Sequence, residues 1–128
     1  MTIRLQLITP ERVLAELSAD HVTVRAVDGE VGIRTGHTAL VALLAHGGYV
    51  ISRVTGDYRF RCFAVYGGVA EVSHDLLKVL APVAVDVHAL DLAAVSRRAD
   101  AASDPAEKKW LSAQVELAQR YPAPAGRV

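Results

Sequence analysis

A chain of 128 residues and 13.7 kDa has the length of one domain, or of one domain with a small appendage. Apolar residues at 52% exclude disorder, while charged residues at 22% break up any run long enough to span a membrane. Equal counts of 14 basic and 14 acidic side chains, with aromatics at only 5%, leave neither the basic excess of a nucleic-acid or anionic-lipid binder nor a stacking platform for bases and sugars.

Taken in chain order, the first segments read as strands. Arg4, Glu11 and Arg12 interrupt the apolar stretch that an export signal needs, so none is expected. Ile3, Leu5 and Leu7 alternate with Arg4 and Gln6 and stop at Thr9-Pro10. Val22, Val24 and Ala26 alternate with Thr23 and Arg25 and stop at the turn dipeptide Asp28-Gly29. From Thr35 to Ser52 there is no charged side chain, but only Ala39–Ala45 is continuously apolar. A membrane helix takes about 20 apolar residues, so this segment reads as a buried strand with its turns, in a soluble chain. Val50–Arg53 runs into Thr55-Gly56-Asp57, and Tyr58, Phe60, Cys62 and Ala64 alternate with Arg59, Arg61, Phe63 and Val65. Leu76–Leu80 and Val83–Val87 are further apolar runs separated by Pro82. Turn signals every ~8–12 residues predict an antiparallel β-sandwich of two packed sheets over residues 1–87.

From residue 88 the pattern becomes helical. Asp91 is placed to cap a first helix, and Asp104-Pro105 with Glu107 marks a second start. Ala106, Trp110, Ala113, Leu117 and Tyr121 then recur at three- and four-residue spacing, and Glu116 and Arg120 form an i,i+4 pair. Pro122 and Pro124 end the helix. Residues 88–128 are thus expected to form an antiparallel helix hairpin, with Leu92, Val95, Trp110 and Leu117 at its packing seam. Two short helices bury too little apolar surface to stand alone, so the hairpin must dock.

Chemistry-bearing motifs are sparse. His21, His37, His46, His74 and His88 occur singly, without the spacing of a zinc site, and no metal is expected. The glycine-rich run 29–36 lacks the Lys-Ser/Thr of a phosphate loop and opens no helix. Gly29, Gly32, Gly36, Gly67 and Gly68 are read as turn glycines. The serines sit in no nucleophile-elbow context, and the lone Cys62 falls in an alternating strand, where burial makes it inert. These residues point to a binding or regulatory part. The alternative is a free-standing ligand-binding domain, or an acid/base enzyme using Glu30 and His37.

One stretch goes further. Asp28-Gly29-Glu30-Val31-Gly32-Ile33-Arg34-Thr35-Gly36-His37-Thr38-Ala39-Leu40 resembles the E-G-E-[LV]-G-I-x-P-G-H-x-P-L segment of the epsilon subunits of F-type ATP synthases. Gly67-Gly68-Val69-Ala70-Glu71-Val72 is similar to that family's G-G-x-x-E-V strand, and Val79-Leu80-Ala81 to its next one. Thr9-Pro10-Glu11-Arg12 and Leu90-Asp91 resemble the turn after its first strand and the opening of its helical domain. The resemblance implies two five-stranded sheets, about ten strands, followed by a two-helix hairpin. It implies a non-catalytic, cofactor-free rotor subunit that couples the gamma subunit to the c-ring. Further implied partners are the alpha and beta subunits, reached by the C-terminal helices, and the implied place is the cytoplasmic face of a bacterial inner membrane. The membrane is met only through the complex, and nucleic acid not at all. By the same resemblance Asp28, Glu30, Arg34 and His37 form the c-ring contact loop. Thr35 and Ala39 replace that segment's two prolines, so the loop is less rigidly preset. Ala94 stands where an ATP-binding motif would carry arginine, so ATP binding is not expected, and the second helix ends early at Pro122, so strong self-inhibition is not expected.

Overall fold

The computed structural model describes residues 2–56 and 59–122; the predicted positions of Asp57, Tyr58, Pro124 and the other residues beyond Pro122 lie outside these. Among the described residues nine strands precede two helices: β1 Ile3–Ile8, β2 Val13–Ala26, β3 Gly29–Ile33, β4 Leu40–Leu43, β5 His46–Val54, β6 Phe60–Tyr66, β7 Val69–Ser73, β8 Leu76–Leu80 and β9 Ala84–Asp86. A single 3₁₀ turn, Val87–Ala89, leads to α1 Leu92–Ala101 and α2 Pro105–Arg120.

Ladder pairing runs β4-β7-β8-β1-β2-β5-β6-β9, with β3 added to β2. The 14-residue β2 serves both layers, pairing β1 through Val13–Ala19 and pairing β5 and β3 through its later residues. A register shift between Ala19 and His21 bends the strand where it passes from one layer to the other. Counting β2 once in each layer reconciles nine strands with the expected two sheets of five. Among the described residues every ladder is antiparallel except β1 with β8, whose parallel pairing the long stretch of chain between them permits.

The core lies between the layers. Ile3, Leu5 and Leu7 of β1, with Val72, Leu77 and Val79 from the same layer, pack against Val22, Val24, Val50 and Phe63, all fully or almost fully buried. β6 is buried on both faces: Phe63 and Val65 enter this core, while Cys62 and Ala64 turn outward under the hairpin. There they join Ile51, Val87, Leu117 and Ala118 in a second cluster. A third cluster, Val95, Ala99 and Leu111, seals α1 against α2.

Two expectations shift. Ala39–Ala45 does not form a buried strand: β4 lies at the end of its layer, and Val41 and Leu43 are 64% and 61% exposed. The buried face of α2 is Leu111, Gln114, Leu117 and Ala118, with Trp110 half-buried beside it and Ala106 in solvent. A helix that packs on α1 near its start and on β5 and β6 near its end presents two offset faces, which one apolar stripe does not describe.

Candidate functional site

The residues expected at one contact loop fall at the two ends of β3. Asp28 sits in the two-residue turn between β2 and β3, and Glu30 follows within β3 opposite Arg25. Arg34 and His37 bound the turn at the other end of the strand, where His37 N–H donates to the Arg34 carbonyl at 3.1 Å. Four residues of strand, about 13 Å, separate Glu30 from Arg34. Glu30 and His37 therefore form no acid/base pair. Glu30 Oε2 accepts from the Tyr49 hydroxyl. The Nδ1 of His37 lies 2.6 Å from the Thr38 carbonyl oxygen, and since a carbonyl only accepts, that nitrogen carries its proton.

At the Arg34 end, His21, Gly32, Arg34, Thr35, Gly36 and His37 line a shallow depression of about 410 Å³. Gly36 N–H donates to Asp75 Oδ1 at 2.7 Å, which ties this turn to the one between β7 and β8. Gly32 is a strand residue and not a turn glycine: a Cβ there would stand 3.1 Å from the His21 ring. Gly29, Gly36, Gly67 and Gly68 do hold positive φ. Half-burial, and then the Arg34 charge, push the His21 pKa below its ordinary value.

The outer face of the β4-β7-β8-β1 layer carries a feature that the sequence reading missed. Leu43 opposes Val69, Val69 opposes Leu80, Leu80 opposes Ile8, and Ile8 opposes Val13. Directly opposed residues share a face, so these five apolar side chains form one row across four strands and onto β2. Val13, Leu43 and Leu80 are all about half exposed or more. Val27, also exposed, joins the row at its β4 end, where its N–H donates to the Leu43 carbonyl at 2.9 Å. The neighbouring row is polar: Glu71 opposes Lys78, Lys78 opposes Gln6, and Gln6 donates to Glu16 at 2.7 Å. Arg4 closes on the same carboxylate at 3.2 Å, and these hydrogen bonds hold Glu16 below the usual carboxylate range. An apolar strip with a polar rim is how association surfaces are built. Leu40–Leu43 is apolar on both faces, so the sequence carried no signal that Val41 and Leu43 stand together on the outer one.

The hairpin seam gathers the remaining expected residues. Val95 lies in the α1–α2 cluster, Leu117 and Leu92 in the cluster over β5 and β6, and Trp110 borders both. Trp110 also meets the Tyr66 ring edge-on at 5.6 Å, and Tyr66 stacks on His46 at 4.4 Å. Asp91 and Asp104 cap the helices through Ala94 N–H and Glu107 N–H. Beneath the seam, burial and the Asp86 charge push the Cys62 thiol up to about 12, far from a reactive thiolate. Among the described residues no group of three or more His, Cys, Asp or Glu side chains is placed to hold a metal ion, and no helix is long and apolar enough to cross a membrane.

Residues 2–87 match the family model of the ATP synthase delta/epsilon chain β-sandwich domain. Among solved structures, the chain is similar to one in the Euglena gracilis mitochondrial ATP synthase OSCP/F1/c-ring assembly, at 20% identity and a TM-score of 0.68, over 92% of this chain and 78% of that one. It is also similar to one in the Tetrahymena thermophila mitochondrial ATP synthase central stalk and c-ring, at 17% identity and a TM-score of 0.60, over 96% of this chain and 98% of that one. At such identities the likeness is one of fold.

Proposed function

The chain belongs to the ATP synthase delta/epsilon chain family through its β-sandwich domain, and on that premise we propose that it is a non-catalytic subunit of the rotor's central stalk, joining gamma to the c-ring. The observation that carries this reading is the row Val13, Ile8, Leu80, Val69 and Leu43, an apolar strip on a sheet face that the hairpin leaves uncovered. Such a strip costs free energy in water and suits a standing partner better than a diffusing ligand. In this reading gamma covers the strip, while Asp28 and Glu30 at the β2–β3 turn meet the polar loops of the ring. Charged groups there set register more than affinity.

The chain does no chemistry of its own; it passes torque between fixed neighbours, and the membrane, at its cytoplasmic face, is met only through the ring. The hairpin contributes at most limited regulation through alpha and beta. Ala94 supplies no cation for a nucleotide phosphate, and Asp91 already spends its carboxylate on the α1 cap.

Replacing Leu43 and Leu80 together by Asp tests the reading, because both side chains are exposed and the core does not need them. The double variant should fold as the parent does and lose co-purification with gamma by at least about tenfold, the equivalent of 1.4 kcal/mol. Undiminished co-purification would sink the assignment.

A further inference from the structure

The last turn of α2 is fastened to the β layers around two tyrosines. The Arg120 guanidinium lies 5.9 Å over the Tyr49 ring and 5.6 Å over that of Tyr121. The Tyr121 ring tilts against Phe60 at 5.2 Å, and its carbonyl accepts from His88 Nε2 at 2.6 Å. Tyr49 also donates its hydroxyl to Glu30 Oε2. One tyrosine on β5 thus touches both the final helical residue of the hairpin and the acid beside the β2–β3 turn.

We propose that docking of the hairpin and the orientation of Glu30 form one coupled equilibrium, transmitted through Tyr49. Glu30 is exposed, and a hydrogen bond from an exposed carboxylate competes with water. Arg120 attracts the π face of Tyr49 and so holds the ring in the pose that reaches Glu30, and the docked hairpin lowers that competition. Burial and the Glu30 hydrogen bond hold the phenol above its usual range, against the opposing charge of Arg120. With the hairpin released, Tyr49 loses the Arg120 contact and Glu30 turns freely. Coupling of this kind is reciprocal, so a partner that takes Glu30 in its Tyr49-bound pose tightens the hairpin by the factor that the hairpin tightens the partner. The consequence for ring binding rests on the contact reading above, whereas the coupling is a property of the free chain.

Amide hydrogen exchange on the free full-length chain tests it, with Arg120→Ala, Tyr49→Phe and Glu30→Ala, and Ser112→Ala as a control at an exposed position of the same helix. Arg120→Ala and Tyr49→Phe should raise exchange along β3 by about fivefold, the low end of ordinary coupling. Glu30→Ala should loosen Leu117–Arg120 by a similar factor, and Ser112→Ala should do neither. Glu30→Ala without effect on the last turn of α2, or Arg120→Ala without effect on β3, overturns the coupling. Binding of the same variants to detergent-solubilised c-rings separates the two ideas. Weaker binding by both Arg120→Ala and Glu30→Ala supports the regulated contact. Unchanged binding by Glu30→Ala alongside altered exchange rejects the ring contact and leaves the coupling standing.

Discussion

Individual side chains in this molecule are chosen by what lies across the sheet from them. Gly32 lies under the His21 ring, where a Cβ would be tight at 3.1 Å, and that imidazole in turn sits beside Arg34, half removed from water. Both effects disfavour the imidazolium in the folded state. A histidine whose folded pKa lies below its unfolded value of 6.5 binds fewer protons folded than unfolded. Its cost is therefore absent at higher pH and grows as pH falls below about 6.5, until the folded histidine also protonates. Replacing His21 by Gln should flatten this part of the pH–stability curve, with urea midpoints converging on the parent's above pH 7 and exceeding it at pH 5.5; equal slopes in the two proteins would show that another group governs it. Ser52 shows the limit of pattern reading at this scale. It occupies an inward position on β5 between Val50 and Val54, wholly buried, and its Oγ finds no partner among the described residues. Alternation identified the position but not the unmatched hydroxyl.

At the scale of elements, alternation and capping were legible because each is local. Ile3, Leu5 and Leu7 mark their own face, and Asp104-Pro105 announces α2 within a few residues. What was hidden depends on distant chain. The mixed sequence Val13–Asp20 reads as no strand until β1 and β5 flank it, and Ala39–Ala45 looks buried until β4 is seen at the end of its layer with nothing over Val41. The contact loop looked like one turn because sequence spacing does not show that β3 carries its halves apart. For the hairpin, Leu117 is the decisive side chain: it fills the gap between Ile51, Cys62 and Ala64, and it is 4% exposed. Leu117→Ala should cost about 2–4 kcal/mol, drawn from the docking of α2 and not from the sandwich core. Cys62 reports the event. In the parent its thiol, with a pKa of about 12 and no exposure, should resist maleimide at pH 7.5, whereas in Leu117→Ala it should label at least tenfold faster while the β-sheet circular dichroism is retained. Loss of both signals together would mean that the hairpin and sandwich unfold as one.

For the whole molecule, the question is whether residues 1–87 and 88–128 are separable parts. The main cluster draws only on strands and their loops, and it holds nearly all the large, fully buried side chains, Phe63 and the β1 leucines among them. The second cluster is shared, since Ile51, Cys62, Ala64 and Val87 lie on the sandwich while Leu117 and Ala118 belong to α2. We therefore propose an asymmetric dependence. The sandwich folds without the hairpin at reduced stability, and the hairpin, whose own seam is Val95, Ala99 and Leu111, does not fold without the sandwich. A chain ending at residue 87 should unfold cooperatively at a lower urea midpoint, expose its thiol, and self-associate through the uncovered outer faces of β5 and β6. A peptide of residues 88–128 should show little helix in water. Added in trans, it should restore protection to Cys62, with half-saturation in the micromolar range or weaker, because joining two pieces adds a cost in translational freedom. A truncated sandwich without a cooperative transition would make the hairpin part of the fold itself. The coupling between Arg120 and Glu30 would then be a structural tie, with no separable docking step to regulate.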